Sequence, residues 1–364
     1  MAAPSSRTPV SLPDHVRIVL LYGGASAEHD VSRVSAANVF AAADKDRYDI
    51  TLFGIDRDGR WHLVGSDGPR HTDEGLGGLA VEGEVVSPSA ALSAIIDAAS
   101  DPVVVVPVVH GPNCEDGSLQ GLLELLDVAY VGPGVLSSAV SMDKAMAKTV
   151  LDAAAIPQGR WDSGFEWELD DARLDAIAEH LGFPIFVKPA NMGSSVGVTR
   201  ANDRAELDTS VREALRFDEL LVFEEMITGR EVEIAVLGNE SPRVSVPGEI
   251  VAGAEFYDFD DKYRDGVSKT LVPAALDDAQ VAEMQDLALR TYRALRAEGL
   301  SRVDMFFDAD GRGFLVNEIN TLPGFTSISM YPTLWEASGL GYRELIDELI
   351  RLALDRRERR RRSN

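Results

Sequence analysis

Two carboxylates, an amide and a guanidinium alternate with apolar residues in the segment SRVDMFFDADGRGFLVNEIN. Arg302 and Asp304 are two residues apart, as are Glu318 and Asn320, so each pair lies on one face of a β-strand. A hairpin turn centred on Gly311 would place Asp304 opposite Glu318 and Arg302 opposite Asn320. Oxygen ligands in that arrangement suit Mg²⁺, and the arginine beside them could stabilise an anionic transition state.

The same side chains would also suit a ladder of salt bridges across a surface hairpin. The residues that follow favour the metal site, because Pro323-Gly324 turns the backbone just beyond the charged face. A backbone N–H at that turn could contribute to an oxyanion hole, which a structural ladder does not need.

A loop of small residues, PANMGSSVGV, follows a strand that ends at Lys188. Gly193, Ser194 and Ser195 allow the backbone to close on an anion, and they supply N–H and O–H donors. The loop lacks the spacing of a Walker A motif or a GxGxxG fingerprint, and by itself it also fits a hairpin tip. A lysine at the end of an apolar strand needs a partner, and a phosphate would serve.

Four other charged residues have two interpretations each. Lys144 lies in a helical stretch, where an exposed lysine is the common case. Glu224 and Glu225 end an apolar strand, and Glu231 follows a turn. Exposed carboxylates at strand ends are the ordinary interpretation. The functional one is hydrogen bonding to an adenine amine and to ribose hydroxyls.

Three polar residues follow strands in the first third of the chain. Glu28 lies near the start of a helix, where ligands of parallel sheets bind, so it could pair with a substrate ammonium or simply cap the helix. His110 closes a strand and could join that site, although a lone histidine there is more often structural. For Cys114, a passive loop cysteine is favoured over a catalytic thiol.

The composition limits the possible functions. The 364 residues carry a net charge of −25, which disfavours binding to the anionic backbone of nucleic acids. A single cysteine excludes an intrachain disulfide and fits a reducing compartment. The N-terminus lacks the apolar core of a signal peptide, and no run approaches the roughly 18 apolar residues of a membrane span. We therefore expect a cytoplasmic protein with no nucleic-acid or membrane partner.

Strands and helices are predicted to alternate through the first part of the chain. Residues 16–22, 48–55 and 103–109 are short apolar runs with helical segments between them, a pattern typical of parallel βαβ units. Further along, strands at 184–188 and 196–200 flank the small-residue loop, and we expect an antiparallel hairpin that can lie over a ligand.

Both ends of the chain are predicted to be disordered. Residues 1–16 form a lead rich in proline and serine, and residues 356–364 form a basic tail. A solvated terminus is more common for such a tail than a nucleic-acid or membrane anchor. We expect the tail to be dispensable for turnover.

Six stretches together resemble the D-alanine–D-alanine ligases of the ATP-grasp superfamily, from about residue 17 to residue 354. They are YGGASAEHDVS, HGPNCEDGSLQG, YVGPGVLSSAVSMDK, VKPANMGSSVGV, FYDFDDKY, and RVDMFFD with NEINTLPGFTSISM. The resemblance implies an α/β, three-domain ATP-grasp fold with an N-terminal parallel-sheet domain. The implied domains are an N-terminal substrate domain (17–145), a central ATP-grasp domain (146–222) and a C-terminal ATP-grasp and catalytic domain (223–355).

The resemblance also implies a role for each candidate residue. The residues implied in ATP binding are Lys144, Lys188 and Ser195 at the phosphates, Glu224, Glu225 and Ile227 at the adenine, and Glu231 at the ribose. The implied ligands of two Mg²⁺ ions, for which Mn²⁺ could substitute, are Asp304, Glu318 and Asn320. The implied amino-acid contacts are Glu28 for the ammonium of the first D-alanine, and Lys262 and Ser329 for the carboxylate of the second, with His110 and Met330 as further substrate-binding residues. The implied catalytic residues are Arg302 and Gly324 at the tetrahedral intermediate, and Glu28, Ser194 and Tyr263 in a latch for the loop 252–268.

The implied activity is the ATP-dependent joining of two D-alanines through an acyl phosphate, for peptidoglycan precursors, in a homodimer. Two alternatives stay open. One is a ligase of the same fold that takes D-lactate or D-serine second, and the other is a non-catalytic ATP-binding module. Against the module, every implied metal and phosphate position holds a chemically competent residue.

The identity of the second substrate is predicted to depend on Tyr263. Family members with tyrosine here make the dipeptide, whereas some that make the D-alanyl-D-lactate ester have phenylalanine. In Tyr263→Phe the latch loses a hydroxyl bond worth about 0.5–1.5 kcal/mol, and the polarity beside the attacking amine changes. We expect the variant to gain ester formation, most visibly at low pH, where free amine is scarce. Product ratios across a pH series with both acceptors present measure this, and a variant that makes no ester at any pH contradicts it.

Overall fold

The computed structural model describes residues 10–64, 69–73, 75–251, 269–308 and 311–361. Lys262 and Tyr263, like the rest of the loop 252–268, lie outside the described residues. The described strands are β1 Val16–Gly23, β2 Tyr48–Ile55, β3 Trp61–Leu63, β4 Glu84–Val86, β5 Val103–Pro107, β6 Ala129–Tyr130, β7 Trp161–Phe165, β8 Ile185–Pro189, β9 Thr199–Ala201, β10 Leu220–Glu225, β11 Arg230–Gly238, β12 Arg243–Val244, β13 Gly248–Val251, β14 Lys269–Leu271, β15 Gly299–Asp308 and β16 Gly313–Asn320. The described α-helices are α1 His29–Ala42, α2 Pro88–Ala98, α3 Ser118–Leu125, α4 Val135–Met142, α5 Lys144–Ala153, α6 Asp171–Leu181, α7 Arg204–Ala214, α8 Asp278–Ala294, α9 Met330–Ala337 and α10 Tyr342–Arg361.

The first sheet has the strand order β4-β3-β2-β1-β5-β6. Strands β2, β1, β5 and β6 are parallel, which confirms the predicted βαβ units, and β3 and β4 add an antiparallel edge. Side chains alternate across β1, so that Ile18 and Leu20 enter one core while Val19 and Leu21 enter another. A strand that is buried on both faces reads as a continuous apolar run, as this one does.

The second sheet, β7-β10-β8-β9, is antiparallel and packs on α6 and α7. The predicted hairpin is confirmed, since β8 pairs with β9 in antiparallel register. Its second strand is Thr199–Ala201 rather than 196–200. Ile185 and Val187 face the helices, whereas Phe186 and Lys188 face the opposite way.

The third sheet, β14-β13-β11-β15-β16 with β12 beside β11, carries its charges on one face. Val232, Ile234, Val303 and Met305 pack against α8 on the other face. Cross-strand neighbours share a face, so Glu233, Asp304 and Glu318 form one row across β11, β15 and β16. This amphipathic sheet is the element that positions the predicted metal ligands.

The helical stretch predicted around Lys144 is two helices, α4 and α5. Asp143 ends α4 and caps α5, where its side chain accepts a hydrogen bond from Met146 N at 2.9 Å. Aspartate is among the favoured residues at an N-cap because its carboxylate binds a backbone N–H that lacks a helical partner. The break places Lys144 in the first turn of α5 rather than on an exposed helix face.

The prediction of a disordered basic tail was wrong for residues 356–361, which extend α10. Arg356 is 3% exposed. Its guanidinium stacks on the ring of Tyr130 at 4.0 Å and donates to the carbonyls of Tyr130, at 2.9 Å, and Gly132. The last turns add ion pairs with acidic residues that lie far back in the chain. These pairs are Arg357 and Arg361 with Asp127, Arg359 with Glu298, and Arg360 with Glu124.

Two predicted boundaries also differ from the structure. Val10 and Leu12 pack against the first core, so the lead is ordered from residue 10, while residues 1–9 lie outside the described part. The boundary at 222/223 falls inside β10, which belongs wholly to the second sheet. The change of sheet comes instead at the turn 226–229.

Among the described residues, no helix combines the length and apolar character that a membrane span requires.

Arg356 is predicted to be the one arginine of the basic segment on which stability depends. Arg356→Met keeps the aliphatic stem but leaves two buried carbonyls without a donor, which should lower the free energy of unfolding by about 2–4 kcal/mol. The matched control, Arg357→Met, removes a surface pair at 3.4 Å and should cost less than about 1 kcal/mol. Denaturant unfolding of both variants measures the difference, and equal losses would show that the buried contacts of Arg356 contribute nothing specific.

Candidate active site

One cleft of about 740 Å³ is lined by residues of the second and third sheets and by residues that follow β1 and β5 of the first sheet. It collects every predicted site residue that the structure describes. These are Glu28, His110, Lys144, Lys188, Ser194, Ser195, Glu224, Glu225, Ile227, Glu231, Arg302, Asp304, Glu318, Asn320, Gly324, Ser329 and Met330. The sequence analysis thus identified residues that do meet, although they are spread along the chain from Glu28 to Met330.

The charged face of the β15–β16 hairpin has the predicted register, with Asp304 opposite Glu318 and Arg302 opposite Asn320. A bulge between Asp304 and Met305 shifts the pairing beyond this point, so that Asn317 has no partner on β15. A bulge adds one residue to one strand and re-aims the neighbouring side chains. It lies directly beside the carboxylate pair, and Asn317 also lines the cleft.

Arg302 connects the carboxylates of this face. It donates to both oxygens of Asp304, from Nε at 2.7 Å and from Nη2 at 2.6 Å. Its Nε also lies 2.9 Å from Oε2 of Glu233. Glu233 was missed by the sequence analysis, although its alternation with Glu231 on one strand was a signal for a shared face.

The donor set of this face fits a divalent cation. Asp304 and Glu318 supply carboxylate oxygens, which hard cations such as Mg²⁺ and Mn²⁺ prefer. The amide of Asn320 donates from Nδ2 to Oδ2 of Asp304 at 2.8 Å, so its oxygen would face a cation after the amide rotates. These three residues would hold the metal.

Another wall of the cleft, called here the lysine wall, is formed by Lys144, Lys188 and Glu224. Nζ of Lys188 donates to Oε2 of Glu224 at 2.7 Å, and Nζ of Lys148 lies 3.1 Å from Oε1. Burial alone would raise the pKa of Glu224, but the two lysines lower it to about 2. Burial likewise opposes the charge of Lys188, and Glu224 outweighs it and raises the lysine pKa. The sequence analysis did not identify Lys148.

Lys144 and the small-residue loop also line the cleft, and Lys144 lies near Lys188 and Glu224. The Nζ of Lys144 donates to the carbonyl of Met192, and burial lowers its pKa. Ser194 and Ser195 have φ angles of +52° and +58°, which are uncommon for residues other than glycine and cluster at functional sites. A Cβ on Gly193 would lie 3.8 Å from Oε2 of Glu28, so this loop meets the first domain across the cleft.

Beyond Glu224, the side chain of Glu225 points into a separate network. It accepts from the backbone N–H of Arg160 at 2.7 Å and from Nε of Arg160 at 3.0 Å, and Nη1 of Arg312 donates to it at 2.6 Å. Burial would raise its pKa, but these bonds lower it. Any contact between Glu225 and a ligand therefore falls to its backbone. The network also ties the second sheet to the β15–β16 hairpin.

Glu28, His110 and Glu115 form a pocket that opens into the same cleft, with one ligand atom of each within 4.8 Å of the others. Glu28 is the N-cap residue of α1, but its side chain makes no capping bond and lines the cleft instead. His110 is 4% exposed, and within the described residues its Nε2 has no hydrogen-bond partner. A buried ring nitrogen without a partner is suited to bind a ligand.

Glu115 is the member of this pocket that the sequence analysis overlooked. Gly111, with φ at +81°, turns the loop back, so that its N–H donates to Oε2 of Glu115 at 2.6 Å. Burial and the nearby Glu28 raise the pKa of Glu115 to about 8. The neighbouring Cys114 is buried, and burial raises its thiol pKa to about 12. The cysteine is therefore a core residue rather than a nucleophile.

The Pro323-Gly324 turn lines the same cleft as this pocket and Arg302. A Cβ on Gly324 would lie 2.8 Å from Oγ of Ser329, so only glycine fits without a shift. Oγ of Ser329 also accepts from Thr326 N at 2.9 Å. The next residue fixes the turn to the first domain, since Phe325 N donates to Oγ of Ser35 at 3.1 Å. The turn is thus rigid where a backbone donor would be needed.

Comparison with known proteins covers almost the whole chain. The family model described as the D-ala D-ala ligase N-terminus matches residues 17–133, and the D-ala D-ala ligase C-terminus matches residues 150–351. A D-alanine–D-alanine ligase of Oceanobacillus iheyensis is 43% identical over 358 residues, covering 94% of this chain and 96% of the relative. One from Pseudarthrobacter chlorophenolicus is 45% identical over 365 residues, covering 94% of each.

Solved structures of related ligases show the same overall fold as this chain. The D-alanine-D-alanine ligase from Coxiella burnetii has a TM-score of 0.77 at 34% identity, over 96% of this chain and 98% of the other. The VanG D-Ala:D-Ser ligase from Enterococcus faecalis has a TM-score of 0.76 at 31% identity, over 93% and 99%. The predicted ATP-grasp fold is therefore confirmed. With both family models matched and curated relatives aligned end to end, the chain belongs to the D-alanine–D-alanine ligase family.

Proposed function

We propose that this protein joins two D-alanines in a reaction driven by ATP, with an acyl phosphate as the intermediate. The observation that carries this proposal is the continuity of one cleft. The lysine wall, the carboxylate face and the pocket of Glu28 and His110 all open into it. A nucleotide phosphate, a divalent cation and an ammonium group can then meet at adjacent positions.

In the first step, the carboxylate of one D-alanine attacks the γ-phosphate of ATP, and ADP leaves. Glu28 and Glu115 hold the ammonium of this substrate and so aim its carboxylate along the cleft. Lys144 and Lys188 neutralise the phosphate oxygens, which favours attack by a second anion. When bound, Mg²⁺ would add charge neutralisation at these oxygens from the face of Asp304, Glu318 and Asn320.

In the second step, the amine of the other D-alanine attacks the acyl carbon, and phosphate leaves as the amide bond forms. The oxygen of the tetrahedral intermediate lies between Arg302 and the Gly324 amide, which stabilise its charge. Ser329 and Met330, at the start of α9, line the cleft, and we assign them to the second substrate together with Lys262, which lies outside the described residues. The rigid turn at Gly324 supports preorganised stabilisation, because its donors need not reorient as charge develops.

The second substrate is the point on which related ligases differ, since the structural relative from Enterococcus faecalis is a D-Ala:D-Ser ligase. We favour D-alanine because the curated relatives aligned along the whole chain are named D-alanine–D-alanine ligases. The choice of Mg²⁺ over Mn²⁺, the homodimer and the cytoplasmic location stay predictions of the sequence analysis.

The product formed with and without an intact carboxylate face tests the function. Wild-type protein with ATP, Mg²⁺ and equal D-alanine and D-serine should give D-alanyl-D-alanine as the main product by mass spectrometry. Glu318→Gln keeps size but removes a charged ligand, so turnover should fall at least about a hundredfold while thermal unfolding stays near wild type. Phosphate release without any dipeptide would contradict the proposal, and a folded, active Glu318→Gln would contradict the metal assignment.

The raised pKa of Glu115 predicts that binding of D-alanine releases a proton. Below about pH 8 the empty pocket holds Glu115 protonated, whereas a bound ammonium favours the carboxylate, so the proton must leave. Calorimetric titration of D-alanine into enzyme with ADP at pH 7, in buffers of different ionisation enthalpy, should show this release. The control Glu115→Gln should bind without it. Equal proton release by the two proteins would refute the assignment.

A further inference from the structure

A third lysine lies behind the wall of the cleft. Lys148 is one helical turn after Lys144, so both side chains lie on one face of α5. The Lys148 side chain is 5% exposed, and its Nζ lies 3.1 Å from Oε1 of Glu224. Lys144, Lys188 and Glu224 line the cleft, whereas Lys148 is not among the lining residues. Its direct contact with the wall of the cleft is the one with Glu224.

The carboxylate of Glu224 is divided between two lysines. Lys148 holds Oε1 from inside the protein, and Lys188 holds Oε2 at 2.7 Å from the side of the cleft. A buried carboxylate needs such partners, because removing one leaves an uncompensated charge. The two lysines differ in their freedom, since Lys188 faces the cleft and can turn to a ligand, while Lys148 cannot.

The proposed function, on which this inference rests, gives Lys188 a second partner. A bound nucleotide phosphate attracts Lys188, while Glu224 accepts a hydrogen bond from the amine of adenine. Lys148 is then the lysine that remains on Glu224. The other charged groups around this pair are Lys144 on α5, Glu231 on β11 and Glu318 on β16.

We propose that Lys148 sets the preference of the nucleotide site for adenine by keeping Glu224 a charged group that only accepts hydrogen bonds. An ionised carboxylate has no proton to donate. It therefore suits the 6-amino group of adenine and repels the 6-carbonyl of hypoxanthine or guanine. Without Lys148, burial favours the neutral acid, whose O–H can donate to that carbonyl. Lys148 is thus a positioning residue that acts on specificity without touching the nucleotide.

Nucleotide preference in Lys148 variants tests this inference. In Lys148→Met, KM for ATP should rise about tenfold, as for a lost bond to a charged group, and the preference for ATP over inosine triphosphate should fall about tenfold. The kcat with ATP should stay within about threefold, because Lys148 contacts no reacting atom. Lys148→Arg should restore the preference. Lys45→Met, a lysine replaced outside the cleft, should change nothing.

Two further measurements separate this role from a structural one. Lys148→Gln keeps a hydrogen-bond donor without the charge, so it should fold as judged by circular dichroism and still lose the preference. In the Glu224→Gln background, Lys148→Met should have no added effect on the preference, because residues acting through one contact are not additive. A preference that is unchanged in folded Lys148→Gln, or fully additive effects, would overturn the inference.

Equilibrium binding keeps this test apart from the proposed function. ATP and inosine triphosphate are titrated calorimetrically without D-alanine, so the readout needs no turnover. A wild type that binds ATP selectively but makes no dipeptide would contradict the proposed function and leave the Lys148 effect measurable. A wild type that binds both nucleotides equally would overturn the inference whatever its activity.

Discussion

Carboxylates withdrawn from water must be matched by cations, and the architecture of the cleft depends on this constraint. The chain has 60 acidic and 35 basic residues, so cations are scarce and their placement is informative. Glu224 bridges Lys148 and Lys188, and Arg302 serves Glu233 and Asp304. Each match also joins elements, α5 and β8 to β10 in the first case and β11 to β15 in the second. The ion pairs that hold the charged groups of the site in place therefore also hold together the helix and strands that form the cleft.

The same constraint makes the cleft receptive to a nucleotide and a metal. Lys188 and Arg302 have carboxylate partners now, and both lie on the surface of the cleft. Under the proposed function, phosphates and a divalent cation arrive together, so each protein charge exchanges one partner for another. Such an exchange leaves little uncompensated charge at any stage. Groups behind the surface, such as Lys148, do not take part in the exchange and hold the frame in which it happens.

A feature could be predicted from the sequence when its interacting residues lie close together along the chain, and it was missed when they lie far apart. The register of Asp304 and Glu318 was predictable because a hairpin fixes it locally with a period of two. The bulge at Asn317 was not, since nothing in the local pattern marks an added residue. Lys148 was not identified because its partner Glu224 lies far along the chain, on β10. The prediction of a disordered basic tail failed for the same reason, because the acidic partners of the arginines, such as Asp127, are distant in sequence. A run of arginines considered alone indicates only a solvated segment.

The first hydrophobic core combines the first strand with the last helix that the structure describes. Strand β1 contributes Ile18 and Leu20, while α10 contributes Leu345 and Ile350, and Arg356 donates hydrogen bonds to the carbonyls of Tyr130 and Gly132. A ribosome delivers these pieces in order, so the N-terminal strands emerge long before the helix that covers them. Domains generally fold as units during synthesis, but here one apolar face of the first sheet stays partly uncovered until α10 has been made. The nascent chain thus exposes part of that face for most of the interval between the synthesis of β1 and that of α10.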